Sequence, residues 1–300
     1  MERKANRARG NWKFFANHVW YLPGVGGMFA LLLWLLAGSL LGGLVTSVFQ
    51  MALGAETAKE YSLLLAYPLQ FIPAIIFVAH KSRAASWNTQ GYLLDNNHFA
   101  PLGGLLCAAL VMLATLSAGF ASDAVTSLLP PMPEWLEGLL ENMTGGRVWV
   151  DFLCVSIMAP FFEEWLCRGV ILRGLLHNKM KPVWAIVISA AFFAVIHMNP
   201  WQAIPAFLLG CLFGWVYYRT GSLKLTMLMH FTNNTLALIA AHVPAWEDAE
   251  NWMDILGGMY WAYFVLALVV LGLVILAFLR IKPRSAQGSC APVPPVFGEV

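Results

Sequence analysis

The sequence predicts an all-α membrane protein, a bundle of about eight transmembrane helices with both termini in the cytoplasm. Composition is the first observation behind this prediction: 59% of the 300 residues are hydrophobic and only 11% are charged, whereas a soluble domain carries about 25% charged residues. The second observation is that apolar segments of roughly 20 residues, the length that crosses a bilayer, recur along the chain. The third is that the charges between these segments alternate in sign.

The apolar segments fall into two kinds. Four are nearly uninterrupted, at 25–51, 61–80, 101–121 and 258–280, and four carry polar interruptions, at 148–176, 183–197, 201–218 and 223–241. The predicted organisation is a basic cytoplasmic arm at 1–24, three helices with their loops at 25–147 and a four-helix core at 148–241. A last transmembrane helix at 242–284 and a disordered, Pro-rich tail at 285–300 complete it.

Charge placement sets the predicted orientation. Of the 18 basic residues, all but Lys59 and Arg147 fall in the N-terminal arm, in the C-terminal tail, or at the loops after the second, fourth and sixth segments. Acidic residues collect on the opposite side: Glu56, Glu60, Asp123, Glu134, Glu137, Glu141, Asp151, Glu247, Asp248, Glu250 and Asp254. Because cytoplasmic loops are rich in Lys and Arg, this alternation predicts a multi-pass protein of the cell membrane with cytoplasmic termini.

The remaining compositional features exclude other classes. The basic N-terminal arm is expected to rest on anionic lipid, and no second basic patch supports nucleic-acid binding. The five cysteines show neither the C-x-x-C spacing of a metal site nor a disulfide framework. The lipid bilayer is therefore the predicted environment, and no nucleic acid is expected as a partner.

Residues 161–168, FFEEWLCR, place two acids and a base within an apolar segment. Charged side chains inside a membrane are costly and indicate function unless they pair with each other. Glu164 and Arg168 are four residues apart and share a helix face, which predicts a structural ion pair. Glu163 is turned about 100° away by the helical period and has no basic partner at helical spacing. Glu163 is therefore the functional candidate.

Two histidines lie in or at the end of later segments with polar residues nearby. His197 follows Phe193 by four residues in FFAVIHMNP, and His230 precedes Asn234 by four in LMHFTNNTLAL. A single membrane histidine is most simply a residue that hydrogen-bonds between helices. The joint occurrence of a glutamate, two histidines and an asparagine in neighbouring segments instead favours a shared site.

The three motifs E-E-x-x-x-R, F-x-x-x-H and H-x-x-x-N, in this order, resemble the CAAX-protease and bacteriocin-processing family of intramembrane proteases, which includes the Ras-converting endoproteases. The resemblance covers about residues 148–241. It implies that Glu163 is the catalytic base that activates a water and that His197 helps to hold this water. It also implies that His230 and Asn234 stabilise the oxyanion, while Arg168 anchors Glu164.

The expected activity is therefore hydrolysis of peptide bonds in membrane-associated or small peptide substrates, with or without a lipid modification. No cofactor is expected, although zinc stays an alternative because Glu and His are zinc ligands. Against zinc, the H-E-x-x-H pattern is absent and Asn is a poor zinc ligand. A small-solute transporter and a non-catalytic immunity or scaffold protein are two competing hypotheses. No inverted repeat supports the transporter, and intact motifs argue against lost catalysis.

Overall fold

The computed structural model describes residues 18–19, 21–86, 92–93, 95–96, 99–144, 146–246, 249 and 251–281. Most of the predicted basic arm and the whole predicted C-terminal tail lie outside these residues. The described part is a helix bundle, with one pair of two-residue antiparallel strands, β1 (His18–Val19) and β2 (Tyr92–Leu93).

Every one of the eight predicted segments is helical. The N-terminal helices are α1 (Val25–Leu53), α2 (Ala55–Tyr61), α3 (Leu63–Ser86), α4 (Gly104–Thr126) and α5 (Glu134–Thr144). The helix α6 runs over 148–177, with wider π-type turns at Phe152–Met158 and Trp165–Leu172 that flank a regular stretch at Ala159–Glu164. It is followed by α7 (Pro182–Val195), α8 (Pro200–Thr220), α9 (Leu223–Ala240), α10 (Trp252–Leu256) and α11 (Tyr260–Phe278), with single 3₁₀ turns at Pro244–Trp246 and Gly257–Met259.

Length and composition separate these helices into two groups. Among the described residues, four helical stretches are long and apolar enough to cross a membrane: Val25–Leu53, Leu63–Ala84, Gly104–Thr126 and Trp252–Phe278. Between 17% and 28% of their most apolar windows is buried inside the protein, so most of their side chains face outward. These four coincide with the four uninterrupted segments of the sequence. That all eight segments cross the membrane, with both termini cytoplasmic, stays a prediction.

The predicted helical segment at 183–197 ends early, because α7 stops at Val195 and His197 lies in the turn between α7 and α8. Asn199 explains this end. Its side chain accepts a hydrogen bond from the Gln202 backbone N–H at 2.9 Å and caps α8, which begins with Pro200. A residue before proline disfavours the helical conformation, and a proline suits the first position of a helix. His197 therefore occupies the tip of a helical hairpin.

Two arginines that were expected among the cytoplasmic loop charges lie inside the bundle. Arg168 and Arg173 are 0% and 1% exposed. The assignment was wrong because α6 continues through His177, so both arginines project from a buried helix rather than from a loop. Lys179 and Lys181, which follow the end of α6, are exposed and still provide basic charge at this loop.

The core has two parts joined by α8. The first contains buried residues of α1, α3, the second half of α6 and α7, such as Leu35, Phe71, Leu166 and Phe192. The second part of the core contains buried residues of α4, α9 and α11. Residues of α8 belong to both parts, including Tyr217 in the first and Phe213 in the second. The helices α6 to α9 thus meet around α8, and the polar side chains singled out in the sequence lie among them.

Candidate functional site

The buried ion pair that the spacing predicts is present. Arg168 donates from Nη1 to Glu164 Oε1 at 2.7 Å, and both side chains are fully buried. Its Nη2 donates to the Gly210 carbonyl of α8 at 2.8 Å. The guanidinium lies between two rings, 4.8 Å from the centroid of Phe193 and 5.5 Å from that of Phe213. A buried charge needs this combination of an opposite charge and further hydrogen bonds.

Glu163, the preceding residue, has a different environment. Its side chain is 12% exposed and makes no ion pair with an arginine or lysine among the described residues. Oε1 accepts a hydrogen bond from the Tyr67 hydroxyl at 2.5 Å. Oε2 is buried without a hydrogen-bond partner in the described part of the chain and faces His230 Nε2 at 4.0 Å. The prediction that Arg168 contacts Glu164 rather than Glu163 is confirmed.

The ring of His230 lies between the two carboxylates. Nδ1 is 3.2 Å from Glu164 Oε1, and Nε2 is 4.0 Å from Glu163 Oε2. A carboxylate only accepts hydrogen bonds, so Nδ1 carries a proton that it donates to Glu164. Glu164 thus binds Arg168 and His230 through one oxygen and fixes the orientation of the imidazole. The second ring nitrogen is directed towards Glu163.

Phe193 connects the two histidines. Its ring meets the ring of His230 at 83° with centroids 5.4 Å apart, and meets that of His197 at 85° with centroids 5.0 Å apart. His197 Nδ1 lies 2.7 Å from the Phe193 carbonyl oxygen. Because a carbonyl only accepts, Nδ1 of His197 is protonated, which leaves Nε2 as an acceptor in the neutral ring. In the described part of the chain, no hydrogen bond joins His197 to Glu163 or His230.

Asn234, one turn after His230, is bonded to α6. Its Nδ2 donates to the Val155 carbonyl at 2.9 Å, and its Oδ1 accepts from Asn233 at 3.2 Å. Val155 lies in the first π-type stretch of α6. A primary amide has two N–H groups, and this contact uses one of them. Within the described residues, Asn234 makes no hydrogen bond to Glu163 or His230.

Tyr67 of α3 belongs to the site although the sequence did not predict it. Tyr67 and Glu163 are 96 residues apart, and no spacing rule connects them. Four residues after Tyr67, Phe71 stacks on Phe162 with ring centroids 5.2 Å apart and an interplanar angle of 13°. The pair Tyr67 and Phe71, at i and i+4, therefore contacts two consecutive residues of α6. The sequence shows the four-residue spacing of Tyr67 and Phe71. Which helix the two side chains face depends on helix packing.

A second feature that the sequence did not reveal positions α9, the helix of His230 and Asn234. The carboxylate of Asp95 accepts hydrogen bonds from the Leu223 backbone N–H at 2.8 Å and the Ser222 hydroxyl at 3.0 Å. It also pairs with Lys224 at 2.9 Å. An acidic group at this end satisfies free N–H groups and suits the positive end of the helix. Asp95 thus anchors the first turn of α9 to the segment that precedes α4.

The structure therefore brings Glu163, Glu164, Arg168 and His230 into direct contact. His197 is linked to them through the Phe193 ring, and Asn234 follows His230 by one turn of α9. Among the described residues, no group of three or more His, Cys, Asp or Glu side chains is close enough to hold a metal ion. The arrangement has the elements of a hydrolytic site: a carboxylate, an adjacent imidazole and amide donors, of which His230 is buried and Glu163 and Asn234 are partly buried.

Residues 145–236 match the family described as type II CAAX prenyl endopeptidase, Rce1-like. The match covers less than a third of the 300-residue chain, and it includes all three motifs. No curated protein and no solved structure matches the chain. The match confirms the resemblance to the CAAX-protease and bacteriocin-processing family that the motifs predict. It supports, in general terms, a CAAX-type membrane protease, which agrees with the four helices able to cross a membrane.

Proposed function

From the Rce1-like character of residues 145–236, we propose that the protein is an intramembrane endopeptidase in which Glu163 activates the attacking water. The observation that carries this proposal is the pairing of Glu163 Oε2 with His230 Nε2 at 4.0 Å. This separation is too long for a direct hydrogen bond, but both atoms can bond to one water at about 2.8 Å. The buried oxygen has no other hydrogen-bond partner among the described residues.

The reaction is a general-base hydrolysis. Glu163 takes a proton from the water, whose oxygen forms a bond to the carbonyl carbon of the scissile peptide. The carbonyl oxygen becomes the oxyanion of a tetrahedral intermediate. When this intermediate collapses, the C–N bond breaks and the leaving amine receives the proton from Glu163. The protein returns to its starting state without any covalent intermediate on a side chain.

Two residues of α9 are proposed to stabilise the oxyanion. His230 can donate from Nε2 only when both ring nitrogens carry protons, since Nδ1 already donates to Glu164. The N–H of Asn234 that is not bonded to Val155 provides a second donor. Fixed donors in a site that excludes water stabilise developing charge far better than solvent does.

His197 is proposed to hold the water from the turn between α7 and α8. Its Nδ1 is committed to the Phe193 carbonyl, so its Nε2 can accept a hydrogen bond. Water donating to both His197 and Glu163 would have its oxygen directed towards the substrate. Glu164 and Arg168 have a structural role in this scheme, because they fix the orientation of His230 and join α6 to α8.

All eight segments are proposed to be embedded in the cell membrane, with both termini cytoplasmic, and α7 is proposed to enter the bilayer without reaching its far surface. The 14-residue α7 follows the basic loop and is about 21 Å long, shorter than a hydrocarbon core of about 30 Å. His197, at the tip of the hairpin, would then lie within the membrane rather than at its far surface. The Trp201 indole donates to the Pro130 carbonyl at 2.9 Å and joins the start of α8 to the segment between α4 and α5. Membrane-associated or small peptides, with or without a lipid group, are the proposed substrates.

The proposal is tested by comparing the peptides of cells that produce the wild type, Glu163→Gln or Glu134→Gln. Glutamine keeps the size of glutamate but cannot take a proton, and the exposed Glu134 provides the matched control. We expect cleavage products that are present with the wild type and Glu134→Gln and lost with Glu163→Gln. Equal products from all three variants would contradict the proposal and favour a transporter or a scaffold protein.

The absence of a cofactor is a separate part of the proposal. The wild type should cleave its peptide at an unchanged rate after treatment with a strong chelator. Inactivation by the chelator that added Zn²⁺ reverses would replace the metal-free mechanism with a zinc-dependent one, while the protease function would be retained.

A further inference from the structure

We infer that Tyr67 is a positioning residue for catalysis, which holds Glu163 so that only one of its carboxylate oxygens faces the water. This inference rests on the proposed function of Glu163. Tyr67 belongs to α3, outside the segment of the chain that matches the family. The site would therefore depend on a helix from the N-terminal part of the chain, to which the motifs assign no role.

The contact itself is short and specific. The Tyr67 hydroxyl donates to Glu163 Oε1 at 2.5 Å, within the range of strong hydrogen bonds from a hydroxyl to a carboxylate. Its acceptor is the oxygen that does not face His230, since Nε2 of that ring lies opposite Oε2. The two carboxylate oxygens are thus distinguished: one accepts from Tyr67, and the other faces His230.

The position of Tyr67 is fixed by packing as well as by this bond. Phe71, one helical turn later, is 1% exposed and stacks on Phe162, the neighbour of Glu163. The rings of Tyr67 and Phe71 also contact each other, with centroids 5.6 Å apart. The helix α3 thus contacts both Phe162 and Glu163, and this packing supports the position of the hydroxyl at Oε1.

A carboxylate without this bond could rotate and direct either oxygen to the substrate. General-base catalysis requires the accepting oxygen to lie within hydrogen-bond distance of the water in the reactive geometry. A misplacement of about 1 Å can lower the rate by about 10²-fold. Tyr67 therefore affects the turnover step, whereas binding of the peptide should not depend on its hydroxyl.

Tyr67→Phe removes the hydroxyl and keeps the ring, and Tyr263→Phe is a matched control on the outward face of α11. Both variants are purified beside the wild type and Glu163→Gln. The probe is a synthetic peptide that spans the bond whose cleavage in cells requires Glu163. We expect Tyr67→Phe to lower kcat by about 10- to 100-fold with KM unchanged. Tyr263→Phe should retain the kcat and KM of the wild type.

The outcomes separate this inference from the proposed function. If Glu163→Gln is inactive and Tyr67→Phe has the wild-type kcat, Tyr67 has no positioning role and the proposed function stands. If no peptide distinguishes Glu163→Gln from the wild type, the proposed function is wrong and the inference fails with it. A rise in KM at unchanged kcat would assign Tyr67 to substrate binding and overturn the positioning role.

A measurement without substrate tests the contact. The melting temperatures of Tyr67→Phe, Glu163→Ala and the double variant form a thermodynamic cycle. We expect the two changes not to add, because removal of either partner already breaks the same hydrogen bond. Additive changes would show that the hydroxyl and the carboxylate do not interact, and this result would overturn the inference whatever the activity.

Discussion

The apolar helices expose many of their large apolar side chains, whereas the core of the site buries even charged ones. In the helical stretches Val25–Leu53 and Trp252–Phe278, only 28% and 17% of the most apolar window is buried, and large side chains such as Leu40 and Leu273 are exposed. In α6, the residues from Leu166 to Leu176 are all buried, although two of them are arginines. A membrane protein can expose apolar surface to lipid, and its polar groups must find partners inside.

This difference in burial indicates which segments of the chain are able to carry out chemistry. The uninterrupted apolar segments expose most of their side chains, so their composition mainly reports the environment, and the contact of Tyr67 in α3 with Glu163 is an exception that only helix packing reveals. The interrupted segments carry charged side chains whose exposure to lipid is costly. Each of these side chains should therefore be paired or functional. Glu164 and Arg168 form an ion pair, and in the described part of the chain Glu163 has no arginine or lysine partner. Substitutions at partnered and at exposed groups should therefore differ in their effects.

The largest effect is expected where a buried charge loses its partner. Glu164→Gln leaves Arg168 and His230 without their carboxylate in a fully buried setting. Removal of one member of a buried ion pair costs about 3–5 kcal/mol. We expect a large drop in melting temperature and in the yield of folded protein in detergent. A melting temperature equal to that of the wild type would show that the buried pair does not stabilise the bundle.

A smaller effect is expected where two apolar helices approach closely. A Cβ at Gly38 of α1 would lie 2.0 Å from the Gln70 carbonyl oxygen of α3, so Gly38→Ala must push the helices apart. Overpacking of this kind costs about 1–3 kcal/mol. Gly43→Ala, on the same helix, has nothing within 4 Å and is the control. We expect a lower melting temperature for Gly38→Ala only, and equal values would contradict the close packing.

The smallest effect is expected for an ion pair on the surface. Arg147 Nε donates to Glu60 Oε2 at 2.9 Å, with side chains 52% and 38% exposed. Water and salt screen such a pair, so the partners stabilise each other little. Glu60→Gln should leave the melting temperature unchanged within error, in contrast to Glu164→Gln. A comparable loss for both variants would mean that burial does not decide the strength of ion pairs in this protein.

Much of this arrangement could be predicted because it depends on neighbours in sequence. The helical period links Glu164 to Arg168, and the apolar segments give the helices without any tertiary information. The signal for the end of α7 was also present, since Asn199 and Pro200 form a helix start. The apolar run, which continues to Ile196, hides this signal.

The remaining features depend on how distant helices pack. Tyr67 reaches Glu163 across 96 residues, and Asp95 caps a helix that begins at Leu223. Neither contact can be predicted from the helical period of the sequence. The burial of Arg173 does not follow from the sequence for a related reason: a cationic residue near the end of an apolar segment resembles a loop residue until the length of the helix is known.

The central claim is that Glu163, rather than the neighbouring ion pair, performs the chemistry. Its most direct test is the cleavage rate of purified Glu163→Gln protein on a peptide that the wild type cleaves, with the melting temperature measured on the same samples. We predict a loss of at least about 10²–10⁴-fold in kcat with a melting temperature close to that of the wild type. Cleavage by Glu163→Gln at the wild-type rate would contradict the account.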